Sequence, residues 1–142
     1  FVINQNRYSI FDRTVENNGL KETAAKLHKG IITFSPLAQG LLTNRYLDGI
    51  PADSRVHTDG RFLKEKDITP EKIAKIRALN EIAAARGQTL AEMALAWLLS
   101  HEEITTVLIG ASKTQQILDN IKAVQNMKFT TEELAEIDRI SK

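Results

Sequence analysis

The chain has 142 residues, 42% of them hydrophobic and 26% charged, a composition typical of one globular domain spanning 1–142. Its 19 Lys and Arg against 18 Asp and Glu leave a formal net charge of +1, so we expect no general attraction to nucleic acid or to an anionic membrane. The absence of cysteine excludes disulfides, cysteine nucleophiles and thiolate metal sites, and it favours a cytoplasmic protein.

The N-terminal segment FVINQNRYSIF contains neither an initiating Met nor a signal-peptide pattern. No run of about 18 apolar residues occurs, so we expect no membrane span. A chain that begins so abruptly could be mature or processed. We expect instead that it is a piece of a longer protein.

Three short runs rich in β-branched residues predict strands over 1–5, 31–34 and 105–109. A helix is predicted over about 16–29, with Leu20, Ala24 and Leu27 on its inner face and Gly30 at its end. The segment 43–67 is rich in Asp, Gly, Arg and Ser and predicts one long irregular loop, a kind of segment that is usually functional or disordered.

Capping residues mark four further helices. Thr69-Pro70 starts the first and Gly87 ends it, Thr89 with Glu92 starts the second, Ser112 with Gln115 the third, and Thr130 with Glu133 the last. Their predicted inner faces are Leu90, Met93, Ala94, Trp97 and Leu98 in the second, Ile117, Ile121 and Val124 in the third, which spans 112–124, and Leu134, Ile137 and Ile140 in the last.

Alternation of apolar strands with amphipathic helices predicts an α/β fold with a parallel sheet. Three strands cannot close a barrel, and a sheet of this size has two exposed edges. The chain on its own should therefore expose apolar surface.

The strongest local signal is the segment 109–120, IGASKTQQILDN. Gly110 lets a ligand approach the backbone, and a helix start with a hydroxyl at Ser112 and a cation at Lys113 can bind phosphate. On the residues alone, the same pattern also fits a simple N-cap beside a solvated lysine.

This segment resembles the adenosine-phosphate signature of the aldo-keto reductases, in the branch that contains potassium-channel β-subunits and bacterial glyceraldehyde-3-phosphate or methylglyoxal reductases. The resemblance implies that NADP(H) is the cofactor. It assigns Gly110, Ser112 and Gln116 to the 2′-phosphate side, and Asp119 and Asn120 to the adenine. Asp119 is shorter than the Glu often found at its position.

The segment 31–46, ITFSPLAQGLLTNRY, resembles the family's seventh strand and the loop that holds the pyrophosphate. An aromatic ring at a strand end can stack on a flat nicotinamide ring. The resemblance places Phe34 in that role, and it places Ser35, Leu37, Ala38 and Gln39 along the pyrophosphate.

Four further residues are interpreted in the light of the resemblance. Arg55, in GIPADSR, is placed against the 2′-phosphate, a task that suits the planar fork of a guanidinium. Arg45 is a lesser candidate for the same phosphates. Gln5, expected at the carboxyl end of the first strand, is placed against the nicotinamide carboxamide, and Tyr8 is interpreted as a packing or pocket-lining residue.

The family's catalytic set is a tyrosine, a lysine, an aspartate and a histidine from the N-terminal half of the barrel, and none has a counterpart in this chain. We therefore assign no catalytic residue. The histidines His28, His57 and His101 lack metal-ligand spacing, so surface or capping roles are expected and no metal site is predicted.

The resemblance covers the whole chain and implies the last three βα units and the C-terminal helix of a TIM (β/α)8 barrel. The implied function is an NADPH-dependent oxidoreductase of small aldehydes or ketones, with this part inactive alone. The expected partners are the carbonyl substrate and the missing N-terminal part of the barrel, or a second copy through self-association. The alternatives are a non-catalytic NADP-binding or interaction subunit and a fragment left by proteolysis.

Overall fold

The computed structural model describes residues 2–58, 60–61 and 63–142, and its centre is a three-stranded parallel sheet in the order β1-β2-β3. The strands are β1 (Ile3–Arg7), β2 (Gly30–Phe34) and β3 (Ile104–Val107). This confirms three adjacent parallel strands. The first begins and ends two residues later than predicted, and the third ends two residues earlier.

The two faces of the sheet differ in burial. In β2, Ile31 is fully buried, whereas Ile32 and Phe34 are half-buried. Side chains alternate along a strand, and paired residues of parallel strands point to the same side. Gln5 pairs with Ile32 and Arg7 pairs with Phe34, so these four side chains share one side of the sheet, called here the open face.

The segment between β1 and β2 forms two helices, α1 (Thr14–Asn17) and α2 (Leu20–Lys26), and not the single predicted helix over 16–29. Gly19 separates them with a φ of 78°, a left-handed conformation that glycine adopts without steric cost. Ala24 is buried as expected, but Leu27 lies beyond the end of α2 and is 55% exposed.

The segment 43–67 is not one irregular loop. It contains two short 3₁₀ turns, Asn44–Tyr46 and Glu65–Asp67, and the helix α3 (Arg55–Thr58). Tyr46 and Leu63 are buried against the main core, so apolar anchors hold this connection to the body of the fold.

The helices α4 (Pro70–Ala85) and α5 (Leu90–Leu99) begin where the capping residues predict. The Thr69 side chain accepts a hydrogen bond from the Lys72 backbone N–H, and Thr89 and Glu92 form the complete capping box. Trp97 is fully buried, which confirms it as a core residue.

After β3 the chain forms α6 (Thr114–Asn120), a 3₁₀ turn (Ile121–Gln125) and α7 (Thr131–Ser141). Thr130 and Glu133 cap α7 as predicted, and Ile137 and Ile140 are buried, but Leu134 is 37% exposed.

The predicted inner face of the helix over 112–124 is wrong for this chain. Its three residues are 46% (Ile117), 55% (Ile121) and 58% (Val124) exposed. Together with Leu108, Ile109 and Leu118 they form an exposed cluster, called here the apolar patch. No helix in the described part of the chain is both long enough and apolar enough to cross a membrane.

Candidate functional site

The carboxyl end of β2 presents Phe34 on the open face. Phe34 is half-buried, and its carbonyl oxygen accepts a hydrogen bond from the Tyr8 backbone N–H at 3.4 Å. This bond ties the end of β2 to the residue that follows β1. The ring is therefore held at a strand end while part of its surface stays accessible.

The loop after Phe34 has an unusual backbone. Ser35, Ala38 and Gln39 have φ angles of 54°, 48° and 62°, and Gly40 follows with 94°. Left-handed φ is costly for residues with a Cβ, and such strain tends to collect at functional sites. The Leu37 carbonyl accepts hydrogen bonds from the N–H groups of Gly40 (2.9 Å) and Leu42 (3.1 Å), which fixes the loop.

Two side chains of this loop also contact each other. The Gln39 carboxamide nitrogen donates to the Ser35 hydroxyl at 3.3 Å. Leu37 and Ala38 pack against the main core. The four residues predicted to hold the pyrophosphate thus form one ordered loop at the carboxyl end of β2.

The segment after β3 begins beside the same strand end. The Leu108 N–H donates to the Thr33 carbonyl at 2.8 Å, which keeps the chain next to β2 beyond the last residue of β3. A Cβ built on Gly110 would have no atom within 4 Å, so the space beside this glycine is open.

The predicted phosphate donors converge on one oxygen atom. The Gln116 side-chain oxygen accepts from the Ser112 N–H at 2.8 Å, the Ser112 hydroxyl at 3.3 Å and the Lys113 N–H at 3.2 Å. The donors predicted to bind a phosphate therefore meet the oxygen of a neighbouring carboxamide in this structure. Ser112 is not the N-cap: Lys113 precedes the first residue of α6, and the contact is made by Gln116 and not by Gln115.

Asp119 and Asn120 lie at the end of α6. Asp119 accepts hydrogen bonds from the Lys122 ammonium at 2.8 Å and the Gln115 carboxamide at 3.0 Å, and these bonds hold its pKa below the usual range. Asn120 is half-buried and lines a largely apolar groove of about 260 Å³ with Leu95, Ile121 and other residues.

Of the two arginines predicted to bind phosphate, the structure describes the side chain of Arg45 but not that of Arg55. The Arg45 guanidinium forms an ion pair with the Asp53 carboxylate at 2.7 Å and donates to the Asp53 carbonyl at 2.7 Å. Arg45 thus links residue 45 to residue 53 within the segment 43–67. The backbone of Arg55 begins α3, but its side chain lies outside the described residues, so its predicted contact stays a prediction.

Gln5 does not lie at the end of its strand. It occupies the middle of β1, two residues before Arg7, opposite Ile32. The prediction was wrong because a short strand interrupted by polar residues gives no clear end signal. Gln5 nevertheless faces the same side of the sheet as Phe34. Phe34, its loop and Gly110 thus lie at the carboxyl ends of the strands, and Gln5 lies two residues before the end of its own strand.

A second polar cluster is centred on Tyr8, and no pattern in the sequence predicted it. The Tyr8 hydroxyl is fully buried, donates a hydrogen bond to the Glu16 carboxylate and lies 3.3 Å from His101 Nε2. Burial and this carboxylate raise the pKa of Tyr8. Burial also raises the pKa of Glu16, but the bond from Tyr8 and the charge of Arg13 outweigh it and leave that pKa below its usual value.

His101 joins the cluster from the end of α5. Its Nδ1 lies 2.7 Å from the Trp97 carbonyl, and its ring packs edge-on against Trp97 with centroids 4.4 Å apart. Burial and the nearby Lys21 lower the pKa of His101, against the opposing effect of the Trp97 carbonyl. The capping role is therefore confirmed, but the side chain is half-buried and does not lie on the open surface.

Arg13 connects this cluster to the last helix. Its guanidinium is 8% exposed, bonds Glu16 at 3.1 Å and Asp138 at 3.0 Å, and lies over the Trp97 ring at 4.1 Å. It also donates to the carbonyl of Ile10 at 3.0 Å. We call Tyr8, Arg13, Glu16, His101 and Asp138 the outer network.

The chemistry of these groups limits what each cluster can do. In the described part of the chain, no three His, Asp or Glu side chains come together as a possible metal site. The outer network satisfies its own hydrogen bonds inside the fold. The strand-end group around Phe34 and Ser112 combines an aromatic surface with backbone and hydroxyl donors, which suits a ligand with a flat ring and phosphates.

Comparison with known families gives one match over the whole chain. The model of the aldo/keto reductase family matches residues 1–142. Among curated proteins, the chain is 48% identical over 141 residues to an L-glyceraldehyde 3-phosphate reductase of Escherichia coli O157:H7. It is 41% identical over 115 residues to a putative voltage-gated potassium channel subunit beta of Schizosaccharomyces pombe.

These matches cover most of this chain but only part of the relatives. The alignment takes in 97% of the chain and 41% of the Escherichia coli protein, and 78% of the chain and 33% of the Schizosaccharomyces pombe protein. The chain therefore spans about two fifths of the length of the reductase.

Solved structures give the same picture. An aldo-keto reductase from Bacillus halodurans in its holo form superposes with a TM-score of 0.73 at 26% identity, over 100% of this chain and 43% of that one. A thermostable aldo-keto reductase crystallised with the inhibitor epalrestat superposes with a TM-score of 0.69 at 26% identity, over 99% of this chain and 40% of that one. The three-stranded sheet is thus part of a TIM barrel, as predicted.

Proposed function

Since this chain belongs to the aldo/keto reductase family, we propose that it is the cofactor-binding part of an NADPH-dependent oxidoreductase that reduces small aldehydes or ketones. One observation carries the proposal. Phe34 with its left-handed loop and Gly110 with the Ser112 donors lie together at the carboxyl ends of adjacent parallel strands. Ligands of (β/α)8 barrels bind at this end.

The first half of the proposed site holds the nicotinamide and the pyrophosphate. The ring of Phe34 stacks on the nicotinamide, and Gln5 reaches the carboxamide from the open face. Ser35, Leu37, Ala38 and Gln39 follow the pyrophosphate. The left-handed backbone of three of these four supports the assignment, because hydrogen bonds within the loop hold a strained backbone of the kind that collects at functional sites.

The second half holds the adenosine and its 2′-phosphate. The N–H groups of Ser112 and Lys113 already converge on one acceptor, the Gln116 oxygen, which a phosphate oxygen would replace. Gly110 leaves room for the ligand, and Arg55 adds a guanidinium. Asp119 and Asn120 take the adenine, and Arg45 would first have to leave Asp53.

The chemistry divides between this chain and groups outside it. When bound, NADPH supplies the hydride that reduces the carbonyl carbon, and an acid must protonate the carbonyl oxygen. The residues of this chain orient the ring and hold the phosphates. Tyr8 is a poor proton donor for this reaction because its hydroxyl is fully buried and bonded to Glu16.

A second candidate function is a non-catalytic NADP-binding or interaction subunit. It is supported by relatives named as potassium channel subunits, one 41% identical and one from Oryza sativa 33% identical. The two candidates differ in turnover, since the subunit would bind NADPH without reducing an aldehyde. The names of the Escherichia coli relatives favour the enzyme and add a phosphorylated three-carbon aldehyde to its candidate substrates.

The apolar patch supports the proposal that further barrel strands cover this chain. Ile117, Ile121 and Val124 are about half exposed, which is unusual for helix positions with apolar spacing. We expect them to pack against the rest of the barrel or, in the isolated chain, against a second copy. A cytoplasmic location remains part of this proposal.

The test is turnover by a complete barrel that contains residues 1–142, followed at the NADPH absorbance with methylglyoxal or glyceraldehyde. We expect reduction by the complete barrel and none by the 142-residue chain, since general acid catalysis alone contributes about 10²–10⁴-fold. NADPH binding without turnover by the complete barrel would favour the subunit. Turnover by the short chain would reveal a proton donor within it and would contradict this division of the chemistry.

A further inference from the structure

Arg7 is the last residue of β1 and lies beside Phe34. The register pairs Arg7 with Phe34, so both side chains emerge on the open face at the same level. The Arg7 guanidinium carbon is 5.8 Å from the centroid of the Phe34 ring. A cation is therefore held next to the aromatic surface at the carboxyl end of the sheet.

This cation has no counter-ion within the described part of the chain. Arg7 is exposed and takes part in no ion pair or side-chain hydrogen bond there. The strand residues that share its face are neutral: Gln5, Ile32 and Phe34, and Thr106, which pairs with Ile32.

Other arginines of the chain behave differently. Arg13, Arg45, Arg77, Arg86 and Arg139 each donate to a carboxylate or a carbonyl oxygen of the protein. Arg7 thus stands apart from them in having its charge available on the face that carries the candidate site.

The position of Arg7 limits what it can bind. If the nicotinamide stacks on Phe34, the reacting carbonyl must lie against the nicotinamide, within reach of a long side chain at the same level of the sheet. A guanidinium binds phosphate or carboxylate oxygens in pairs through its planar fork. A small aldehyde with an anionic group a few bonds from its carbonyl fits this arrangement.

We propose that Arg7 binds the anionic group of the substrate and makes the reductase prefer phosphorylated aldehydes over uncharged ones. This inference rests on the proposed function, because it needs the carbonyl to react beside Phe34. Arg7 could bind the pyrophosphate of the cofactor instead, and the experiment distinguishes this contact from a contact with the substrate.

The experiment uses a complete barrel containing residues 1–142 and compares kcat/KM for glyceraldehyde 3-phosphate with kcat/KM for glyceraldehyde at saturating NADPH. Arg7→Gln should lower the ratio of the two values by roughly 10- to 100-fold, the effect of losing a hydrogen bond to a charged group. Arg7→Lys keeps the charge but not the planar fork, so its ratio should lie between those of the wild type and of Arg7→Gln. This variant provides the test if Arg7→Gln does not fold.

The matched control is Arg139→Gln, which removes the same charge from an exposed ion pair with Glu136 on α7 and should leave the ratio unchanged. A fluorescence titration of NADPH separates the two phosphate sources. A loss of NADPH affinity in Arg7→Gln with an equal loss for both aldehydes would assign Arg7 to the cofactor and overturn the inference.

An unchanged ratio in both Arg7 variants would also overturn the inference, while turnover of glyceraldehyde would leave the proposed function standing. A wild-type barrel that reduces neither aldehyde would refute both. The failure of the inference and the failure of the proposed function are thus distinguishable.

Discussion

The chain carries two groups of polar side chains that differ in their partners. In the outer network, Arg13 is 8% exposed and its guanidinium bonds four protein groups, which belong to Ile10, Glu16, Asp138 and Ser141. At the strand ends, Ser112 and Gly110 are exposed, and within the described part of the chain the Ser112 donors bond the side chain of Gln116, four residues away. Polar groups bonded deep inside the fold stabilise it, whereas exposed donors that converge on a replaceable acceptor can bind a ligand.

This contrast predicts that substitutions in the outer network change stability and that substitutions at the strand ends change binding. The largest effect is expected for Arg13→Ala. It removes the cation of Glu16 and one of the two cations of Asp138, which keeps Lys142 at 3.1 Å. Because both carboxylates are partly exposed, we expect the free energy of unfolding to fall by about 3 kcal/mol, the lower end of the cost for a buried ion pair. Urea unfolding of a complete barrel measures it.

The control for Arg13 is Arg139→Ala, whose ion pair with Glu136 is exposed and should contribute little to stability. Equal midpoints for the Arg13 and Arg139 variants would show that the outer network does not hold α7 in place.

The second effect is expected at Arg55. Arg55→Ala should weaken NADPH by roughly 1.5–3 kcal/mol, the value of a hydrogen bond to a charged group, and should leave NADH nearly unchanged because NADH lacks the 2′-phosphate. A fluorescence titration with both cofactors gives the comparison. Equal losses for NADPH and NADH would remove Arg55 from the 2′-phosphate site.

The third effect is expected at Gly110, where stability and binding should separate. A Cβ at this position meets no protein atom within 4 Å, so Gly110→Ala should leave unfolding nearly unchanged. It should still weaken NADPH by about 1–3 kcal/mol, the usual cost of adding a methyl group to filled space. Unaltered NADPH affinity in this variant would place the cofactor away from Gly110.

The smallest effect is the pH dependence that His101 gives to the outer network. Burial lowers the pKa of His101 below 6.5, so the unfolded chain binds more protons than the folded chain as the pH falls. The free energy of unfolding should therefore decrease as the pH drops below about 6.5. The groups that face His101 are Tyr8, Glu16, Lys21 and Glu103.

Thermal melting from pH 7.5 to 5.5 tests this point, a window set around the ordinary histidine pKa of about 6.5. His101→Gln should flatten the dependence of the melting temperature on pH in this range. The control His57→Gln, at an exposed position, should leave that dependence unchanged. Below about pH 4.5, Glu16 and Asp138 should cause a further loss in all variants, because their pKa values are lowered in the fold. A wild-type profile that does not change between pH 7.5 and 5.5 would contradict the placement of His101.

Local signals in the sequence predicted much of the fold. The caps at Thr69, Thr89 and Thr130 depend on residues three positions apart, so a short window contains all the information. The apolar periodicity of 112–124 was also visible. It could not show that the side chains of Ile117, Ile121 and Val124 stay about half exposed in this chain.

The candidate site was predicted through the resemblance more than through the residues. Phe34 and Gly110 lie at the expected strand ends, but the three-donor contact to Gln116 depends on side-chain conformations that no sequence pattern specifies. The outer network was not predicted because Arg13 and Asp138 are 125 positions apart in sequence. No local pattern joins residues that meet only after the sheet has formed.

The most direct measurement is a crystal structure of a complete barrel containing residues 1–142 with NADP bound. We predict the nicotinamide ring against Phe34, the pyrophosphate along residues 35–39, and the 2′-phosphate on the N–H groups of Ser112 and Lys113 that donate to Gln116 in the present structure. A nicotinamide away from Phe34, or an adenosine end away from residues 110–120, would contradict it.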